Sequence, residues 1–341
     1  MEMSSKLITV VVPVYKVEQY IDKCLTSLIV PKEQLPLLEV LVVNDGTPDR
    51  SADMAREYEK RYPDVFRVID KDNGGHGSAW NRGLKEAKGK YLRFLDSDDW
   101  FTTSEFSRLI SRLGTLDVDI VLSNYNRYYV QTEETILHLM YSEKIDQSFT
   151  VGQFDWSKLS WEMLNFWGCT YRTSMLQKEY PLFMEGVYYD DAILFIAPVM
   201  LSKTIHVFDA TIYNYLIGRP GQTMAPEVRK KHLDAWAKTH FQVFDFGIKH
   251  FPDISEPGVK SYVYAIFRDW LHDSLVRFSD LPFKQSKAMT DEWNQYFTQI
   301  KQICPDISQA TLTIRIYQTL PFPLYFFIRR IISLFSPPNY H

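Results

Sequence analysis

The sequence predicts an α/β protein in which a mostly parallel sheet with flanking helices is followed by a mainly helical C-terminal region. Three observations lead there. The first hundred residues alternate continuous apolar runs with helical stripes, each run ends in a loop of its own, and beyond Pro226 helical spacing dominates. The apolar runs give four strands, Leu7 to Val14, Leu38 to Val43, Phe66 to Asp70 and Tyr91 to Leu95. Between the first two, Val17, Tyr20, Ile21, Cys24, Leu25 and Leu28 recur at helical spacing, so Cys24 belongs to a core face. A second helix follows the capping residues Asp49 and Ser51, and a third runs from about Ser78 to Lys88, where Gly89 stops it. A fourth begins after Trp100, with Thr102 and Glu105 at capping-box spacing. From about Asp117 shorter strands appear, including Asp119 to Asn124 and Ile205 to Asp209, around an aromatic stretch from Phe154 to Tyr171. In the helical region Trp236, His240 and Phe244 recur every four residues and read as packing.

Composition narrows the function classes. A chain of 341 residues suggests two domains, and 45% hydrophobic with 23% charged residues is ordinary globular usage. The net charge of -4 removes any global electrostatic case for nucleic acid. Cys24, Cys169 and Cys304 show no CxxC or Cys/His spacing, so neither a zinc site nor a disulfide framework is expected and a reducing, cytoplasmic setting fits. The first apolar run reaches Pro13 without a small-residue cleavage site, and no stretch approaches the roughly 18 apolar residues of a membrane span.

The strand ends carry the chemistry. Pro13-Val14-Tyr15, Asn44-Asp45-Gly46, Lys71 to Gly75 and Asp96-Ser97-Asp98-Asp99 follow the four strands, and a parallel sheet lines such ends along its ligand-binding edge. Asp96 and Asp98 are two apart in an extended segment, so both carboxylates can face one ion, and oxygen donors alone select Mg²⁺ or Mn²⁺. Asp99 is placed to favour the following helix N-terminus. The run Asp72-Asn73-Gly74-Gly75-His76-Gly77-Ser78 leads into a helix and suits a phosphate, yet it is neither a Walker loop nor a dinucleotide fingerprint.

These segments resemble a family. LITVVVPVYKVEQYIDKCLTSL, LEVLVVNDGTPDRS and DNGGHGSAWNRGLKEAKGKYLRFLDSDDW are similar to the donor half of family-two inverting glycosyltransferases of the GT-A fold, a Rossmann-like architecture. WGCTYRTSML, GVYYDDAILF and YNYLIGRPGQTM resemble the acceptor-side segment, the acidic base motif and the closing loop. The resemblance implies a GT-A domain over residues 1–222, with a nucleotide-sugar half (1–114) and an acceptor half (115–222), followed by a helical region over 223–341. It implies that Pro13 and Tyr15 border the base, Asp45 recognises uracil, Asp96 approaches the ribose or ion and Asp98 holds the metal. Asp72, Asn73, Gly74, His76, Asn81 and Arg82 fall in its donor loop, and Trp167, Tyr189 and Arg219 on its acceptor side. Asp190 and Asp191 are the base candidates, Asp191 matching the second acid of the pair. One departure is Trp80, where the family usually shows arginine before the asparagine; Arg82 and His76 are the replacements at hand.

The expected activity is metal-dependent transfer of a sugar, UDP-linked by preference, to a saccharide or polyprenyl-linked acceptor. A nucleotidyltransferase and a non-catalytic sugar-binding protein on the same fold are the rivals. Asp45→Ala is expected to weaken nucleotide binding while leaving the fold intact. The terminal stretch Pro323 to Phe335, apolar with Arg329 and Arg330 inside it and stopped by Pro337-Pro338, reads as an interfacial helix at the inner face of the plasma membrane or as a helix packed on protein.

Overall fold

The computed structural model describes residues 6–159, 164–219, 221–223, 228 and 231–335. Trp161, Pro220, Met224, Pro226 and the Pro337-Pro338 stop lie outside them. Two compact units divide the chain, Met1–Pro220 and Gly221–His341.

In the first unit, strands β1 (Ile8–Val14), β2 (Leu38–Asp45), β3 (Phe66–Lys71) and β4 (Tyr91–Phe94) lie parallel in the order β3-β2-β1-β4. Their uninterrupted Val, Ile and Leu are buried on β1 and β2 because both faces of the sheet are covered. The sheet continues through β5 (Trp100–Phe101), β6 (Ile120–Tyr129), β7 (Glu134–His138), β8 (Asp146–Thr150), β9 (Cys169–Arg172) and β10 (Thr204–Ile217). Antiparallel β9 joins β4 to β6, and β6 runs parallel to β10. The strands expected at Asp119 to Asn124 and Ile205 to Asp209 are therefore the first parts of longer ones. Mutual pairing carries β6 and β10 past their apolar stretches, and Asn126 Nδ2 donates to Asn214 Oδ1 across the seam at 2.9 Å.

The helices depart from expectation where a side chain or amide has another partner. Helix α1 spans only Ile21–Thr26, since the Val17 amide donates to Ser51 Oγ and Lys16 adopts a left-handed φ of 56°. Helix α2 (Ser51–Arg61) starts on Asp49, whose Oδ1 accepts from the Ser51 amide at 3.1 Å. Helix α3 (His76–Glu86) begins two residues before the expected Ser78. Helix α4 (Thr103–Leu113) has Thr102 at its cap, but that hydroxyl accepts from Asn214 Nδ2 and Glu105 pairs with Arg108. The expected capping box does not form. Cys24 and Cys169 are buried free thiols, as is Cys304 of the second unit.

In the second unit α7 (Leu233–His250), α8 (Pro257–Phe278) and α9 (Phe283–Ile303) pack together, after the short α5 (Thr173–Gln177) and α6 (Ala197–Leu201) of the first unit. His240 is wedged between Trp236 and Trp270, with ring centroids at 3.7 and 4.1 Å, so this aromatic stripe is core. Helices α10 (Leu312–Thr319) and α11 (Phe322–Phe335) follow. No helix among the described residues is long and apolar enough to cross a membrane.

Close approach of α3 to the sheet depends on Gly83. A Cβ there would lie 2.2 Å from Val11 Cγ1, so no side chain fits without moving a fully buried strand. Gly83→Ala should destabilise the protein by about 1–3 kcal/mol through overpacking, despite alanine's better helix propensity. Urea unfolding monitored by circular dichroism checks this; an unchanged midpoint would show that the helix can slide outward freely.

Candidate active site

The site is built where β4 ends. Asp96, Asp98 and Asp99 each bring a carboxylate oxygen within 4.8 Å of the others. Asp99 is buried and is not a helix cap, because α4 starts four residues later. Its Oδ2 accepts from Tyr213 Oη at 2.6 Å and its Oδ1 from the Leu216 amide at 2.8 Å, which fastens the acidic loop to β10. Tyr213 Oη also accepts from the Asp96 amide at 3.2 Å. Asp98 pairs with Arg219. Burial, followed by the neighbouring acids, pushes the Asp98 and Asp99 carboxyls up, Asp99 farther, while Arg219 pulls Asp98 back. A cluster of oxygen donors whose charge Arg219 and His76 offset only in part fits a hard divalent cation, which Asp96 and Asp98 would hold.

The loop after β3 brings the second group of residues. Asp45 is buried and accepts at Oδ1 from Lys71 Nζ (2.5 Å) and the Gly74 amide (2.9 Å), and at Oδ2 from the Gly75 amide (2.8 Å). Asn73 Nδ2 donates to the Asp45 carbonyl, while Asp72 lies exposed beside it. Asp45 thus shapes the glycine loop, so Asp45→Ala is expected to loosen that loop as well as to weaken nucleotide binding, because the hydrogen bonds from Lys71, Gly74, Gly75 and Ser78 to its carboxylate are lost. Gly75 has a φ of 88°, and a Cβ on Gly77 would meet the Met184 carbonyl at 2.1 Å. Glycine at 77 lets the chain near Asp190 lie directly on the start of α3.

His76 joins the two halves of the site. Its Nε2 is 3.0 Å from Asp96 Oδ1 and its Nδ1 is 3.0 Å from Asp190 Oδ2. Burial alone would lower the imidazole's pKa, but the two carboxylates together raise it well above its ordinary value, so the bridge carries a proton. Asp190 is 3% exposed, and Tyr189 turns into it with a left-handed φ of 65°. Asp191 follows. Burial first, then the charges of Asp190 and Asp96, push its carboxyl up to about 7 against the opposing pull of His76.

The aromatic side closes the arrangement. Trp167 stacks on Tyr215 with centroids 4.4 Å apart. Burial and the charges of Asp99, Asp96, Asp98 and Asp191 raise the Tyr215 phenol, so Tyr215 stands next to the acids. Beneath it, the fully buried Arg93 donates from Nη2 to the Trp167 carbonyl at 2.5 Å and from Nη1 to Thr170 Oγ1 at 2.9 Å; burial lowers its pKa to about 10. Pro13 is buried at the end of β1 and Tyr15 is exposed just past it.

Two expected donor residues are engaged elsewhere. Asn81 is buried; its Oδ1 accepts from the Leu182 and Phe183 amides and its Nδ2 donates to the Phe183 carbonyl, so it clamps the chain. Arg82 pairs with Glu86 and lines an open cleft of about 430 Å³ with Lys71, Ser78, Lys85 and Tyr180. Of the two replacements considered for the missing arginine, only His76 reaches the acids. Trp80 is fully buried, stacked on Phe94 at 4.4 Å and against His76 at 4.2 Å. Sequence reasoning missed Lys71, Tyr213, Tyr215 and Arg93, and only the position of Lys71 just before the acidic loop gave a local signal.

Comparison with known proteins agrees with this geometry. Residues 9–178 match the family model described as Glycosyl transferase family 2. The uncharacterized glycosyltransferase EpsJ of Bacillus subtilis is 30% identical over 216 residues, 61% of this chain and 60% of EpsJ. The minor teichoic acid biosynthesis protein GgaB of the same organism is 36% identical over 103 residues, 30% of this chain and 11% of GgaB. The chain thus spans less than two thirds of either relative. Staphylococcus aureus TarS 1-349, solved in complex with UDP, superposes with a TM-score of 0.65 at 19% identity, covering 98% of this chain and 93% of that one. At that identity the likeness shows the fold: a GT-A sheet with flanking helices and a helical C-terminal region.

The raised Asp191 carboxyl has a thermodynamic consequence. Its pKa of about 7 in the fold exceeds the roughly 4 of an unfolded aspartate, so its contribution is fully present below pH ~4 and lost as pH rises through 7. Asp191→Asn removes the charge. The variant should melt above the parent at pH 8 and close to it at pH 4, by scanning calorimetry. A variant melting lower at pH 8 would refute a buried, destabilised carboxylate.

Proposed function

We propose, from the membership of glycosyltransferase family 2 that residues 9–178 give this chain, that it is an inverting, metal-dependent glycosyltransferase. The donor is a UDP-sugar and the acceptor a saccharide or polyprenyl-linked saccharide of a surface polymer, met on the cytoplasmic side of the membrane. One observation carries the reading. The relay Asp96–His76–Asp190 ties the acids after β4 to the acid pair 190–191, so donor-side and acceptor-side chemistry share one rigid frame.

In such a transfer the acceptor hydroxyl attacks the anomeric carbon in line with the departing UDP, and a carboxylate takes the hydroxyl proton. Asp191 is matched to that task, because a base with a pKa near the working pH is both deprotonated and basic enough. Asp190, buried and held by His76, positions it. A divalent cation, Mn²⁺ or Mg²⁺, held by Asp96 and Asp98 would supply charge neutralisation to the leaving diphosphate. Tyr15 and Asp45 border the nucleotide, and Asp72, Asn73 and Gly74 form the loop beneath it. Trp167 and Tyr189 line the acceptor side, with Arg93 fixing Trp167 through its carbonyl, whereas Arg219 pairs with Asp98 on the metal side. The UDP held by the TarS chain and the teichoic acid role in the name of GgaB support the donor and the polymer class.

UDP release from a panel of UDP-sugars with Mn²⁺ tests the proposal. Asp98→Asn should abolish metal-dependent UDP binding and turnover together. Asp191→Asn should lower turnover by about 10²- to 10⁴-fold and leave UDP affinity unchanged in calorimetry. UDP binding without release from any of the UDP-sugars would indicate a sugar-binding protein instead.

The pH profile provides a separate check. The base works deprotonated, so kcat/KM should fall as pH drops through the Asp191 pKa. That midpoint should lie at or below 7 once a cation offsets the Asp96 charge. The acid limb should vanish in Asp191→Asn; its persistence there would move the base to another residue.

A further inference from the structure

The second unit carries an apolar face that is exposed among the described residues. Helix α11 buries Tyr325 and Phe326, whereas Leu324, Phe327 and Ile331 form a stripe at helical spacing that is 49%, 59% and 58% exposed. Phe283, at the start of α9 and 41% exposed, lies beside it, its ring 6.4 Å from that of Phe327. Ile332 widens the face, and Leu312 and Ile316 make a second exposed pair on α10. Isolated exposed apolar residues need no explanation, but a contiguous stripe of large ones on one helix does.

Charge identifies the occupant. Residues 307–335 contain three arginines, Arg315, Arg329 and Arg330, and no aspartate or glutamate, in a chain whose net charge is -4. Arg330 and Lys284 are exposed at the border of the stripe; the acid nearest in sequence is Asp280, beside the Leu281 carbonyl that accepts from Arg330 Nη1 at 3.3 Å. A second copy of the chain, meeting this face through a two-fold axis, would bring two basic segments together, which opposes self-association. An anionic bilayer surface complements both features, taking apolar side chains below the headgroups and guanidinium groups among the phosphates. The 14 residues of α11 span about 21 Å, short of the roughly 30 Å hydrocarbon core, so the helix lies in the surface plane.

We propose that the face formed by Leu324, Phe327, Ile331 and Phe283 docks the protein on anionic lipid, with Arg330 and Lys284 contacting the headgroups. The full chain should co-sediment with phosphatidylglycerol-containing vesicles, weakly or not at all with pure phosphatidylcholine, and less as salt rises. Phe327→Ser with Ile331→Ser should weaken vesicle binding on the order of 100-fold, since two half-exposed side chains lose their burial in the bilayer. Lys284→Glu with Arg330→Glu should remove the preference for anionic vesicles. Circular dichroism and UDP binding of both variants should match the parent, which separates loss of docking from loss of the fold or of the donor site. Failure of the full chain to sediment with phosphatidylglycerol vesicles overturns the proposal. So does a dimer in sedimentation velocity that Phe327→Ser with Ile331→Ser dissolves, because the face then belongs to a second copy.

Discussion

An imidazole held 3.0 Å from a carboxylate on each side is the interaction on which the site depends. His76 stands 20 positions from Asp96 and 114 from Asp190, and it is the charged link among the described residues between the loop after β4 and the acidic turn. Burial opposes a charged imidazole, and the link holds because a carboxylate is aimed at the ring from each side. Much of the surrounding architecture serves that aim. Gly77 lets the 184–190 segment press against α3, Trp80 supports the ring from beneath, and Asn81 clamps the backbone at Leu182 and Phe183. Trp80 fits this: the position before Asn81 is core, and the charge at this end of α3 comes from its first residue, His76.

Five carboxylates share this small volume, and each is made tolerable differently. Asp99 is fastened by Tyr213 and the Leu216 amide, Asp98 by Arg219, and Asp96 and Asp190 by His76. Asp99 and Asp191 stay costly all the same: burial, followed by the neighbouring acids, pushes Asp99 well up and Asp191 to about 7. Destabilised ground states of this kind concentrate where a fold has been shaped for chemistry. The same economy explains why β10 is so long. Tyr213 and Leu216, which hold the acidic loop, lie on it, and Tyr215 connects it to Trp167.

How far these features were legible in the chain depends on how local their causes are. The four parallel strands were readable from their apolar runs, which on β1 and β2 are buried on both faces, and the loops after β2, β3 and β4 were readable as Asp, Asn and Gly. Asp96 and Asp98 came from spacing alone. Asp190 and Asp191 came only from resemblance to the family. The Thr102 cap failed because Asn214, more than a hundred positions away, takes the hydroxyl. Asn81 and Arg82 were assigned to the donor on similar grounds, yet backbone amides and Glu86 hold them.

The sequence by itself determined the four parallel strands β1 to β4, the helical character of the region beyond Pro226 and the identity of the oxygen donors after β4. Those follow from periodicity and residue chemistry within a few positions. Tertiary structure decided which acids His76 bridges, which arginine faces the site and how far β6 and β10 extend. It also decided which face of α11 stays bare, since burial of Tyr325 and Phe326 and exposure of Phe327 depend on what packs against the helix. The physical reason is range: an apolar pattern acts through its neighbours in the chain, whereas a carboxylate's charge and a side chain's burial are set by groups that only folding brings near.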